Sequence, residues 1–377
     1  MTYPPWREFL QSYWLEGRRF PQIAAETPTF MGCPHATTEA DLVGADVAII
    51  GSPYATSWTD EWAGVPKSEW LAAPQRVRQQ SIRYGSGYIQ DFDLDLFEHL
   101  HVVDFGDAAI PPEANSSQTP DMIRRAQAAV EDKIDAALEA GAIPVVIGQN
   151  SPCSSYSVAH CVARRSDGPI GMISLDAHWD AEPIDRVTLN PTIAGPANWF
   201  RKALELDHVR ADNVIEIGPR GMLESADTSR EMRRQGVHFH SAWDVRKQGI
   251  ERICAALDPA YADTRGVYAH FDMDVVGGAG PAPGDLLGDL AEPIGLSDYE
   301  VIRLAHEIGL RGVTAFSFIC IPPGSPVQYR VIVYVIAYLL AGVALARRTS
   351  DLRVAQSNGE RDALAWSSPP PPAALPS

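Results

Sequence analysis

Short apolar runs recur along the chain, most of them leading into Gly or Asp: DVAIIGSPY (46–54), HVVDFGDA (101–108), IPVVIGQNS (143–151), IGMISLDAHWD (170–180), NVIEIGPRG (213–221), VYAHFDMDV (267–275) and GVTAFSFICIPP (312–323). Runs of this kind suit strands covered on both faces. Segments with helical spacing stand between them. In PDMIRRAQAAVEDKIDAALEAG (120–141), apolar residues recur at three and four positions and Gly141 supplies a stop. LSDYEVIRLAHEIG (296–309) begins with Ser297 and Glu300 at the spacing of a capping box. SSYSVAHCVARR (154–165) is a further expected helix, and VHFHS (237–241) alternates as a strand. Strand–helix alternation over roughly 300 residues predicts an α/β fold, a parallel sheet with helices on both faces.

The pattern also divides the chain. Residues 1–44 read as an irregular N-terminal arm, 45–350 as one α/β domain, and 351–377 as a C-terminal extension whose tail, SSPPPPAALPS, is expected to be disordered. The run VIVYVIAYLLAGVALA (331–346) is sixteen residues long, short of the roughly 18–20 that span a bilayer. A buried core helix ending at Arg347–Arg348 is expected, and no membrane partner.

Composition narrows the class further. The chain has 377 residues, 45% hydrophobic and 21% charged, enough for a sizeable core. A net charge of −17 argues against nucleic acid, whose phosphates need Lys and Arg clusters. Five dispersed cysteines without a CxxC fit a reduced, cytoplasmic compartment better than a disulfide framework. The first residues, MTYPPWREFLQSYW, contain no apolar h-region, so no signal peptide is expected.

Candidate chemistry sits where two strands should end. SLDAHWD offers Asp176, His178 and Asp180, and HFDMDV offers Asp272 and Asp274. In an extended segment alternate residues share a side, so the groups are expected to converge. Carboxylates gathered at neighbouring strand ends repel unless a cation neutralises them, and an O/N donor set of this kind suits Mn²⁺, Ni²⁺ or Zn²⁺.

At these residues the sequence resembles the ureohydrolase family of arginases, agmatinases and guanidinobutyrases. SLDAHWD is similar to the family's S-[IL]-D-A-H-x-D, and FDMDVVGGAGPAPG to its S-[FI]-D-[IV]-D-x-x-D-P-x-x-A-P-G. The resemblance implies a three-layer α/β/α fold and a binuclear Mn²⁺ or Ni²⁺ centre. It also implies hydrolysis of a guanidine-like substrate to urea or a related amide. Carried over by position, Asp176, His178, Asp180, Asp272 and Asp274 match five of the six family metal ligands.

The sixth ligand, the histidine of G-G-D-H-S, is replaced: the chain reads Gly148-Gln149-Asn150-Ser151, with Asn150 in the histidine's place, so by the resemblance one ion or none is expected here instead of the family's pair. Segment 181–203 contains no histidine where the family has a proton relay. FSFICIPP places Cys320 where a Glu pairs with the substrate guanidinium and Ser317 where an Asp often stands, and the G-T-G-T-P-E-x-G-G loop reads GDLLGDLAEPIGLS. His160, His238 and His240 are expected to be structural, and Cys153 and Cys320 have no histidine at nucleophile spacing.

These departures leave two readings. In one, the chain is a subunit of a heteromeric ureohydrolase, similar to the nickel-dependent enzymes acting on metformin. A homologous, catalytically complete subunit would supply the chemistry within a trimer- or hexamer-type assembly, and the Trp- and Tyr-bearing arm would suit the contact. In the other, it is an active, atypical mono- or binuclear hydrolase. A small-molecule sensor has no positive feature in its favour.

Overall fold

The computed structural model describes residues 20–55, 66–185, 189–222, 224–278, 293–323 and 326–357. The first 19 residues of the expected arm, most of the GDLLGDLAEPIGLS loop and the Pro-rich tail lie outside the described residues. Each apolar run becomes a strand: β1 (Val47–Ser52), β2 (Val102–Asp107), β3 (Ile143–Gly148), β4 (Ile170–Leu175), β5 (Val209–Gly218), β7 (Val267–Asp272) and β8 (Ala315–Ile319), with β6 (His238–Ser241) supplied by VHFHS. All pair in parallel, in the order β6-β5-β4-β7-β8-β3-β1-β2.

Strand alternation separates two apolar layers. On one face Val47, Ile49, Ile173, Ala269 and Phe316 pack with helices α4 (Asp298–Arg311) and α5 (Pro326–Ser357). On the other, Ala48, Ile50, Val146, Met172 and Tyr268 pack with α2 (Pro120–Glu139) and α3 (Ser157–Arg165). The result is the three-layer α/β/α sandwich. Helix α1 (Ala73–Ser81) carries Arg78, fully buried, whose Nε donates to Asp104 at 2.8 Å and whose Nη1 donates to Asp107 at 2.5 Å. The described part of the arm packs on the domain: Phe30 and Leu42 are buried, and the Phe30 amide donates to Asp104.

The capping box at Ser297 and Glu300 forms as the spacing predicts, with Ser297 Oγ accepting from the Glu300 amide. Helix α5 runs well beyond 331–346. Its segment Pro326–Thr349 is long and apolar enough to cross a membrane by length and composition, yet two thirds of its most apolar window is buried against the domain. It packs against α4, where Gly309 and Gly342 let the two backbones approach. The five cysteines are all free, and four of them are buried.

The connection from β3 to β4 passes over β7 and β8, which are filled in later by the chain. Such a switch in winding opens a crevice at the carboxyl ends of the strands. The ends of β4, β7, β8 and β3 meet there.

Candidate metal centre

Strand β4 ends at Leu175 and β7 at Asp272, so neither motif stays extended through its acidic residues. Pleat alternation therefore does not bring them together, contrary to expectation; tight turns do. The His178 amide donates to Asp176 Oδ1 at 2.7 Å, folding 176–178 back on itself. Residues Met273–Val275 form a 3₁₀ turn capped by Asp272, whose Oδ1 accepts from the Asp274 amide at 2.9 Å. Asp and Asn side chains favour such turns by mimicking a backbone acceptor. Asp274 in turn accepts from the Ala177 amide at 3.0 Å, stitching the two strand ends together.

The stitch needs Gly218 at the end of β5. Its φ is +111°, and a Cβ there would lie 2.8 Å from the Asp176 carbonyl and 2.4 Å from Val275 Cγ2. Only glycine tolerates both the left-handed backbone and the contact. Arg220 closes the far side, its Nη2 donating to the Asp274 carbonyl at 2.6 Å.

Asp176, Asp272 and Asp274 are each no more than 2% exposed and His178 is 8% exposed. His178 Nδ1 lies 3.1 Å from Asp274 Oδ2. Burial and then the neighbouring carboxylates push Asp176 and Asp272 well above the usual carboxylate range. Burial opposes charge on both His178 and Asp274, but their pairing wins: His178 rises to about 10 and Asp274 is lowered. Asp180 adopts φ +45° and accepts from the Trp199 indole at 3.0 Å, and desolvation raises it to about 8. These are the marks of negative charge crowded into a dry site.

Among the described residues, metal-binding geometry is met by two triads, Asp176–His178–Asp274 and Asp176–His270–Asp272, in each of which a ligand atom from every member lies within 4.8 Å of the others. The crowded donors fit a divalent ion: His178 Nδ1 lies 3.1 Å from Asp274 and 3.9 Å from Asp176, and His270 Nε2, 3.9 Å from Asp176, is buried without a hydrogen-bond partner. Four of the five expected ligands enter these triads. Asp180 stands beside them, held by Trp199. Asn150, at the end of β3, is 3% exposed and lies just before a π-helical turn, Pro152–Tyr156.

His270 is the functional candidate that sequence reasoning passed over, although it precedes Asp272 by two residues on the same strand face. Cys320 has a left-handed backbone, φ +53°, and its amide donates to the Gln149 carbonyl at 3.1 Å, joining the ends of β8 and β3. Its thiol donates a hydrogen bond to Asp272, and burial, then Asp272, push its pKa far up, so it is neutral. His160 sits on α3 paired with Glu131, and His238 bonds the Asp212 carbonyl at the sheet edge; neither reaches the centre.

Residues 45–334 match the model of the arginase family. A guanidinobutyrase from Pseudomonas aeruginosa is 24% identical over 302 residues, 79% of this chain and 86% of that protein. A proclavaminate amidinohydrolase from Streptomyces clavuligerus is 28% identical over 316 residues, 77% of this chain and 90% of that protein. Among solved structures, a Trypanosoma cruzi formiminoglutamase with Mn²⁺ superposes with a TM-score of 0.65 at 24% identity, covering 84% of this chain and 99% of that one. With the family model spanning most of its length, the chain belongs to the arginase (ureohydrolase) family.

Proposed function

We propose that this chain is a subunit of a heteromeric ureohydrolase that cleaves an amidine C–N bond of a guanidine or biguanide such as metformin. In this reading it supports a homologous, catalytically complete chain instead of carrying turnover itself. The observation that carries the reading is Cys320: at the strand end where the family pattern has a carboxylate, a neutral thiol donates a hydrogen bond to Asp272. A guanidinium cation brought into a buried site without its counter-charge loses hydration that nothing repays, and an uncompensated buried charge costs about 3–5 kcal/mol.

Asp176, His178 and Asp274 would hold a divalent ion, Ni²⁺ or Mn²⁺, and when bound such an ion brings the pKa of water close to neutral. The chain's own residues arrange the site. Asp274 orients His178, Arg220 and Gly218 fix the two turns, and Trp199 pins Asp180. The five retained donors, Asp176, His178, Asp180, Asp272 and Asp274, support a second reading, an active hydrolase for an uncharged amidine that needs no clamp. A cytoplasmic assembly fits the five free cysteines.

Co-expression with a homologue that retains the G-G-D-H-S histidine and the substrate Glu tests the proposal. Co-purification of the two chains as a defined oligomer by native mass spectrometry, with biguanide turnover, is expected. Failure to associate, or full turnover by the partner alone, would sink it.

A further inference from the structure

A row of side chains crosses the sheet one step below its carboxyl edge. Register places Glu216 of β5 beside Ser174 of β4, Ser174 beside His270 of β7, and His270 beside Ser317 of β8. The row below it, Met172, Tyr268 and Ala315, is apolar or aromatic and belongs to the α2–α3 core. His270 is therefore a polar side chain, 0% exposed, pointed into the layer directly beneath Asp272.

Its proton is placed by a chain of hydroxyls. Tyr268 donates its hydroxyl hydrogen to the Ser155 carbonyl at 3.2 Å. With that hydrogen used, the 2.7 Å contact between Tyr268 and Ser317 must be a donation from Ser317 Oγ. The single hydrogen of Ser317 is then used too, so at 3.3 Å His270 Nδ1 donates to Ser317 Oγ. Nε2 is left with a bare lone pair. It has no hydrogen-bond partner and lies 3.9 Å from Asp176 Oδ2, while the Trp199 ring, 4.5 Å away between centroids, covers the imidazole.

A buried lone pair facing carboxylate oxygens is repulsive, and a buried polar atom left without a partner is destabilising. A cation between them removes both penalties. An imidazole whose other nitrogen is fixed by a hydrogen bond is the usual state of a histidine that ligates metal.

We propose that His270 is a metal ligand, standing in for the histidine that Asn150 replaces. The site then holds two divalent first-row ions that share Asp176. One lies on Asp176, His178 and Asp274, and the other on Asp176, His270 and Asp272. Two donors at right angles about 2.1 Å from one ion stand about 3.0 Å apart, close to the 3.1 Å of His178 and Asp274. The 3.9 Å between His270 and Asp176 closes on binding. The inference rests on the metal-binding part of the functional reading above and not on which chain turns over.

Nickel and manganese titrations of the full chain by calorimetry, with metal analysis, test it. Wild type is expected to take up two ions. His270→Ala should weaken one of them tenfold or more and leave the other. Ser317→Ala, which keeps the imidazole but frees its orientation, should weaken the same ion roughly tenfold, the size of loss seen when an outer-shell partner is removed. His160→Ala should bind as wild type does. X-ray absorption of the nickel-loaded wild type should count one imidazole per ion on average, and this needs no variant to fold.

An average of one half, two ions bound unchanged by His270→Ala, or fewer than two ions in wild type would each overturn the proposal. Turnover by the chain alone would instead sink the supporting-subunit reading and leave the imidazole count untouched.

Discussion

Removal of divalent ions and a change of pH act on the same atoms, which makes their combined effect computable. Without metal, His178 titrates at about 10 because Asp274 lies beside it. To offer Nδ1 or Nε2 to an ion it must remain neutral or lose a proton. With 1.36 kcal/mol per pH unit, that loss costs about 4 kcal/mol at pH 7 and about 2 kcal/mol at pH 8.5. Metal affinity should therefore rise about tenfold per pH unit from 6 to 8.5, with the raised carboxyls of Asp176 and Asp272 adding to the slope.

Stability follows with a definite sign. His178 has a folded value above its unfolded one, so its contribution is complete below about 6.5 and disappears as pH rises through about 10. Asp180, raised from 3.8 to about 8, binds a proton in the fold that the unfolded chain has released, so stability also declines across that window. The metal-free protein should thus soften as pH rises. Saturating metal reverses this, adding about 2.7 kcal/mol per site at one hundred times Kd. Two sites give about 5 kcal/mol. With about 2.1 cal/mol/K of unfolding entropy per residue over roughly 300 residues, Tm should rise by about 8 °C. Calorimetry at pH 6, 7 and 8.5, in buffers of different ionisation enthalpy, should count at least one proton released per ion. A Kd unchanged over that range, or no release, would refute the reasoning.

Other consequences concern single residues. Gly218→Ala forces a Cβ against the Asp176 carbonyl in a left-handed backbone, and should cost about 1–3 kcal/mol in chemical denaturation and weaken metal uptake. Arg78→Ala leaves Asp104 buried without its partner, and should cost about 3–5 kcal/mol, read as a lower denaturation midpoint. Glu216 is buried and its carboxyl is pushed far up by desolvation, so it carries a proton. Glu216→Gln should accordingly change stability by less than about 1 kcal/mol; a larger loss would mean that its charge is used.

The sheet was legible strand by strand because apolar runs bounded by Gly and Asp cannot hide in a parallel α/β fold. Its order was not. The jump from β3 to β4, with β7 and β8 inserted afterwards, depends on pairings distant in sequence, such as Gly171 with Val267 and Val145 with Phe316. Helix α5 exceeds its apolar stretch because nothing in RRTSDLRVAQS (347–357) stops a helix: it contains neither Gly nor Pro. The acidic motifs pointed to the right strand ends but not to the device that joins them. Asp176 and Asp272 act as turn formers as well as donors, and local hydrogen bonds to their own backbones override strand alternation. His270 was hidden for a different reason. Its signal, H-x-D two residues before Asp272, was present, but the face it shares with Ser317 and Tyr268 emerges only from register across β7 and β8.

The central claim is that this chain gathers a metal site yet lacks the charge that seats a cationic substrate. Product release from guanidine and biguanide substrates, by the chain purified alone and loaded with Ni²⁺ or Mn²⁺, tests it most directly. The expected result is no turnover above buffer for the isolated chain, with turnover appearing when the complete homologue is present. Hydrolysis of a cationic guanidine or biguanide by the isolated chain, at a rate matching the mixed assembly, would contradict it.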